Sequence, residues 1–215
     1  MEVEERAQFM LAMRARGVND LQLLRALERV PRALFMPQRF ADMSARDIAL
    51  PIGCGQTSPP PSTLARMIAA LKLRPGDRIC EIGTGTGYCT ALIAQLAQEV
   101  VSLERFQTLA VEASARLQAF GLGHVDVMWR DGFDFHRSGR RFDKVIVHGL
   151  IEPPAKAFFD LIEGEGTVVA AQSGAVDGQQ RILRMDVPAE GPVAIAELGP
   201  TRGLRPLEHG LAKAL

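Results

Sequence analysis

An α/β fold with a mostly parallel sheet is what the sequence predicts, on three observations. Beyond Asp77, short apolar runs alternate with amphipathic stretches, the pattern of strands joined by crossover helices. A loop with glycine at every second position, Gly83, Gly85 and Gly87, stands between the first of these strands and the helix after it. The last two apolar runs, 181–187 and 194–198, have no helix between them and read as an antiparallel hairpin at the sheet edge.

Taken in order, two helices open the chain. Phe9, Met10 and Met13 recur at helical spacing before Gly17, and Asn19 or Asp20 can cap a helix over 21–30 that Pro31 stops. Residues 31–61 read as irregular, with Pro37, Pro51, Gly53 and Gly55 ahead of Pro59-Pro60-Pro61; a connection of that length in a compact domain is usually functional. A helix follows Pro61, because Leu64, Met67, Ile68 and Leu71 mark one apolar face, and 74–77 make a turn. Strands then fall at 78–82, 100–103, 125–129, 144–147 and 167–171. Helices fill the intervals at 88–98, 108–120 and 155–162, the last before a Gly164-Glu165-Gly166 turn. With no internal repeat, the 215 residues read as one domain: N-terminal helices and a long loop (1–61), an α/β core (62–172) and C-terminal strands (173–215).

Composition narrows the function classes. Lys plus Arg equals Asp plus Glu at 25 each, and a pI near 6.9 leaves no basic field to hold a phosphate backbone, so nucleic acid is not the expected partner. The start is charged, and no apolar run approaches the roughly 18 to 20 residues of a membrane span, so neither a signal peptide nor a membrane partner is expected. Cys54, Cys80 and Cys89 are odd in number and lack metal-ligand spacing. They read as reduced thiols of a cytoplasmic protein, with no metal site.

The glycine loop points to a ligand. Glycines there let the backbone turn sharply and approach a bound molecule without Cβ interference. The dinucleotide pattern G-x-G-x-x-G would need glycine or alanine three positions after Gly85, where the chain has Tyr88. Alternate glycines with Thr84 among them, just after the acidic Glu81, suit instead a ligand with a positively charged amino acid end. Glu104 ends the second strand, where a carboxylate can accept from both ribose hydroxyls. Asp131 ends the third, and with Gly132 after it can meet an adenine edge. Acids at three successive strand ends together specify S-adenosylmethionine.

Further motifs carry a resemblance. The stretch Leu50-Pro51-Ile52-Gly53-Cys54-Gly55-Gln56-Thr57, the run 81–88, Val30-Pro31-Arg32 with Phe35, Ser102-Leu103-Glu104-Arg105, Asp131-Gly132 and Phe142-Asp143 resemble the protein-L-isoaspartate O-methyltransferase family over residues 5–208. The resemblance implies a Rossmann-like class I S-adenosylmethionine-dependent methyltransferase. Its seven-stranded, mostly parallel sheet would have an antiparallel last strand and an N-terminal helical cap. It also implies repair of L-isoaspartyl and D-aspartyl residues in damaged peptides and proteins.

The departures from the family pattern fall on the acceptor side. The loop 51–61 resembles the acceptor loop, but the family's active-site serine position is Pro59, and the residues after it are Pro60 and Pro61. A small Thr-Ala-Ala type segment after the fourth strand is replaced by His148-Gly149-Leu150-Ile151. A carboxylate acceptor, with a reference pKa near 4, is ionised at neutral pH and needs no base, only orientation. Thr57 and Ser58 are the hydroxyls left for that task. His148 is either a base for a hydroxyl, amine or thiol acceptor or a polar residue at the pocket rim. His124, His136 and His209 read as surface or loop residues, and Cys54 as a small loop side chain. Cys89 reads as buried packing or as a thiol whose pKa the helix terminus lowers.

Overall fold

The computed structural model describes residues 3–152, 156–174 and 177–212. Helices α1 (Val3–Ala15) and α2 (Leu21–Arg29) open the chain. Asp20 caps α2: its Oδ1 accepts from the backbone amides of Gln22 at 2.8 Å and Leu23 at 3.0 Å, which decides between Asn19 and Asp20. The stretch 31–61 carries more structure than its sequence shows. It holds 3₁₀ turns at Arg32–Phe35 and Gln38–Met43 and a hairpin of β1 (Leu50–Pro51) and β2 (Thr57–Ser58). Strands of two residues are too short to leave a periodicity. α3 (Pro61–Leu71) begins on a proline, whose missing amide costs nothing in a first helical turn.

The sheet is built from β3 (Arg78–Ile82), β4 (Glu99–Glu104), β5 (Asp126–Trp129), β6 (Phe142–Leu150), β7 (Ile162–Ser173), β8 (Gln180–Val187) and β9 (Ala194–Thr201). Between them run α4 (Tyr88–Ile93), α5 (Gln107–Ala119) and α6 (Lys156–Phe159). The strand order is β5-β4-β3-β6-β7-β8-β9, with β3 to β7 paired in parallel and β8 antiparallel to both neighbours. The chain thus winds outward from β3 in one direction, returns through β6 and winds out in the other. The crevice at the carboxyl ends of β3 and β6 is where such sheets bind ligands.

Three expected elements are corrected. The helix over 88–98 ends at Ile93, because residues 97–99 must turn back into β4, where the amide of Gln98 donates to Asp77 O at 3.0 Å. The helix over 155–162 is short: Ala155 lies outside the described residues, α6 ends at Phe159, and β7 has begun by Ile162. The Gly164-Glu165-Gly166 turn is a bulge within β7, since Phe142 pairs with Ile162 while Lys144 pairs with Thr167. A Cβ on Gly166 would stand 2.5 Å from the carbonyl of Asp143, so only glycine fits that approach.

Apolar layers fill both faces of the sheet. On one, Ile79, Ile146, Val169 and Ile182 meet α1 to α4; on the other, Val101, Val145, Val147 and Val168 meet Phe135, Phe142 and Phe158. Strands buried on both faces explain the continuous apolar runs in the sequence. Among the described residues no helix is long and apolar enough to cross a membrane.

Candidate active site

A cavity opens at the carboxyl ends of β3 to β6, closed on one side by the β1–β2 hairpin and on the other by residues 204–208. It brings together Thr57, Ser58, Pro59, Gly83, Thr84, Gly85, Glu104, Asp131, Gly132 and His148 from five stretches of chain. Two of the sequence-derived residues, Glu81 and Gly87, stand behind its wall.

The glycine loop leaves β3 with Gly83, Gly85 and Gly87 at φ of 94°, 57° and 87°, a region that side chains disfavour. The amides of Gly83 and Thr84 donate to Leu103 O at 2.8 and 3.2 Å, pinning the loop to the end of β4. At that end the buried Glu104 is fixed from two sides. Its Oε2 accepts from the amide of Gly85 at 2.8 Å and its Oε1 from that of Phe106 at 3.0 Å. Burial pushes the Glu104 carboxyl above its ordinary range, with the amides of Phe106, Gly85 and Arg105 pulling against it. Each carboxylate oxygen keeps a lone pair for a vicinal diol.

Asp131 is more heavily engaged than its position suggests. Its Oδ1 accepts from the amide of Phe133 at 2.9 Å, and its Oδ2 from that of Gly210 at 2.6 Å. The C-terminal segment therefore lies across this side of the cavity. Arg105 holds it by donating to Gly210 O at 2.9 Å and pairing with Glu208, and His209 stacks on Phe133 with ring centroids 3.8 Å apart. His209, read from sequence as surface or loop, belongs to this strap. Gly132 is required by packing: a Cβ there would stand 2.5 Å from Ile82 Cγ2.

Behind the wall lies a buried polar network. Glu81 is fully buried, and its Oε2 accepts the hydroxyls of Thr90 at 2.5 Å and Ser102 at 2.6 Å. Thr84 Oγ1 lies 2.6 Å from Ser102 Oγ. His148 Nε2 sits 2.9 Å from Glu81 Oε1. Glu81, read from sequence as facing a ligand's positive end, reaches the cavity through His148 rather than by contact. The sequence shows Ser102 within a motif but without a role, and gives no sign of Thr90. Ser102 is opposite Glu81 in the β3–β4 register, so a polar pair at matching positions of two apolar strands was the available signal.

Cys89, beside this network, is buried, and burial together with Glu81 holds its thiol well above the usual range. The reading of a lowered pKa does not hold, because desolvation outweighs the terminus of a six-residue helix. Its sulfur, a Glu81 oxygen and a His148 ring nitrogen lie within 4.8 Å of one another, knitted by hydrogen bonds to Glu81.

The β1–β2 hairpin is held from beneath by Arg32, a residue the sequence shows within a motif but without a role. Buried, and with its pKa lowered to about 10 by that burial, Arg32 donates to Arg46 O, Ile48 O, Ser58 O, Ser58 Oγ and Pro59 O at 3.0–3.4 Å. Thr57 Oγ1 donates to Gly203 O at 3.4 Å. Tyr88, at the position where a dinucleotide site needs glycine or alanine, is buried with its ring 6.0 Å from that of Phe35.

The chain is similar to known proteins along nearly its whole length. A family model described as protein-L-isoaspartate(D-aspartate) O-methyltransferase matches residues 4–203. A protein-L-isoaspartate O-methyltransferase of Rhodopseudomonas palustris (strain BisA53) is 38% identical over 211 residues, 98% of this chain and 97% of that one. One from strain BisB5 is 39% identical over 182 residues, 85% of this chain and 83% of the relative. A solved structure from Plasmodium falciparum, described as a protein-L-isoaspartate O-methyltransferase in complex with S-adenosyl-L-homocysteine, superposes with a TM-score of 0.78. That likeness holds at 17% identity over 94% of this chain and 97% of that one, and it shows the fold.

Proposed function

The chain belongs to the protein-L-isoaspartate(D-aspartate) O-methyltransferase family, and on that premise we infer that it methylates the carboxylate of L-isoaspartyl and D-aspartyl residues in damaged proteins and peptides, using S-adenosylmethionine. The observation that carries the reading is Glu104, a carboxylate fixed by the amides of Gly85 and Phe106 at the mouth of a three-glycine loop. The residues present fit the cofactor. Glu104 would hold the ribose hydroxyls, Asp131 and Gly132 the adenine edge, and Gly83, Thr84 and Gly85 the amino acid end, with Gly87 shaping the turn and Glu81 supplying charge from behind. When bound, S-adenosylmethionine supplies a methyl group already activated by its sulfonium.

The protein's own task is alignment and exclusion of water. No proton would have to move, because an ionised carboxylate oxygen would take the methyl carbon while the electron pair of the broken carbon–sulfur bond stayed on sulfur, giving an ester and a thioether. Thr57, Ser58, Pro59 and His148 border the acceptor side. Expected partners are peptides and proteins carrying isoaspartyl residues, met in the cytoplasm by a single domain whose segment 1–61 supplies the acceptor loop.

Transfer of labelled methyl from S-adenosylmethionine to an isoaspartyl peptide, run beside its normal aspartyl twin, tests the reading. Labelling of the isoaspartyl peptide alone supports it. Labelling of neither, in a protein that binds S-adenosylhomocysteine, overturns it in favour of another acceptor, which the changes at Pro59 and His148 would permit.

A further inference from the structure

We propose that His148, held by Glu81, binds the acceptor carboxylate in place of the hydroxyl that Pro59 cannot supply; the inference rests on the isoaspartyl reading above. Among the described residues lining the cavity, two side chains bury a polar atom with no hydrogen-bond partner, Tyr88 through its hydroxyl and His148 through Nδ1, and of these only the histidine is held by a carboxylate. Thr57 donates its hydroxyl to Gly203 O. Ser58 is buried with its Oγ receiving Arg32 at 3.3 Å. Gln56 donates to Cys54 O at 3.2 Å. Pro59 has only a carbonyl, and Arg32 donates to it. His148 lines the cavity with a side chain 6% exposed, and its Nδ1 is buried with no hydrogen-bond partner. An orphaned buried nitrogen is costly unless something arrives to meet it.

Glu81 decides what can arrive. Its Oε2 already accepts two hydroxyls, and in this proposal Oε1 accepts from His148 Nε2, 2.9 Å away. The open position on the ring is then Nδ1. A carboxylate ligand needs a donor there, and a ring that donates from both nitrogens is an imidazolium. A Glu81 oxygen from β3 and the Cys89 sulfur from α4 lie within 4.8 Å of a ring nitrogen of His148. From the loop, Gly83 presents no side chain, only a site whose Cβ would lie 3.3 Å from His148 Cβ. The imidazolium also stands between two carboxylates, Glu81 and the incoming acceptor, that would otherwise repel each other in a dry site.

The test pairs two amides. In His148→Gln the amide nitrogen can take the place of Nε2 and keep the bond to Glu81 while Nδ1 is lost. In His148→Asn the amide nitrogen can take the place of Nδ1. With saturating S-adenosylmethionine, His148→Gln should lose about 100-fold in kcat/KM for the isoaspartyl peptide, as for one preorganised donor, with S-adenosylhomocysteine affinity within about twofold of wild type. His148→Asn should retain more of the rate, and Pro59→Ser added to His148→Gln should restore part of it. Independently of any variant's folding, ¹⁵N NMR of the wild type with S-adenosylhomocysteine and isoaspartyl peptide should show His148 Nδ1 protonated. An active wild type whose rate survives His148→Gln, or whose Nδ1 keeps its lone pair with peptide bound, overturns the role of His148 alone. A wild type that binds S-adenosylhomocysteine and leaves the isoaspartyl peptide unlabelled overturns the function on which that role rests.

Discussion

The two halves of the cavity are made differently. The cofactor half is made of runs of consecutive residues at the ends of adjacent strands, 82–86, 103–106 and 130–133, pinned to the sheet by backbone bonds such as Gly83 to Leu103. The half proposed to take the acceptor is assembled from a hairpin of two-residue strands and one histidine on β6, joined by side chains that cross long stretches of sequence. A site resting on strand ends leaves little freedom to vary. A site resting on loops can change its chemistry while the sheet stays put. Pro59 and His148 both lie in the half built on side chains that reach across the sequence.

That contrast predicts effects which separate by half, the largest at the joint beneath the hairpin. Arg32→Met would leave the carbonyls of Arg46, Ile48, Ser58 and Pro59 without their buried donor. A cost of about 3 kcal/mol in unfolding free energy is expected, with isoaspartyl turnover falling further than S-adenosylhomocysteine affinity; denaturant titration and paired assays read both. Next in size, a roughly 100-fold excess of S-adenosylhomocysteine over its Kd should stabilise the protein by about 2.7 kcal/mol in a thermal-shift experiment. NAD should give no shift, because Tyr88 fills the position that a dinucleotide loop keeps small.

Glu104→Ala should weaken S-adenosylhomocysteine by about 2 kcal/mol, the worth of a charged acceptor, as measured by calorimetry. The same residue gives the cofactor half a pH dependence. The carboxyl of Glu104 sits above its usual range in the unliganded protein, and ribose hydroxyls donate to its ionised form. Affinity is therefore full above that titration and falls as pH drops through it. Glu104→Gln should abolish the slope. The smallest effect is expected at Thr57→Ala: its hydroxyl makes a single 3.4 Å bond to an exposed carbonyl, so turnover should change less than about threefold and stability by under about 1 kcal/mol.

The cofactor half was largely legible in the sequence because its information is local. Three glycines after an apolar run, and acids at strand ends, sit where a strand-to-helix turn must put them. The positions of the strands and the antiparallel edge followed from apolar runs and the missing crossover helix, while the order of the strands did not. What could not be read lies between distant residues. Glu81 and His148 are 67 residues apart, Arg32 and Ser58 26, and Asp131 and Gly210 79. None of these pairs is visible until the strand order places β3 beside β6 and folds the tail over β5. The β7 bulge escaped for another reason: two glycines flanking a glutamate look the same whether the chain turns or only bends.

The separation of the two halves is tested most directly by crossing two variants with two readouts, S-adenosylhomocysteine affinity and kcat/KM on the isoaspartyl peptide at saturating cofactor. Glu104→Ala should lose about 2 kcal/mol of affinity and keep most of its saturated rate. His148→Gln should keep its affinity and lose the rate, and the double variant should show the sum of the two losses. A His148→Gln variant that weakens S-adenosylhomocysteine as much as Glu104→Ala does would place the histidine in the cofactor half and contradict the division.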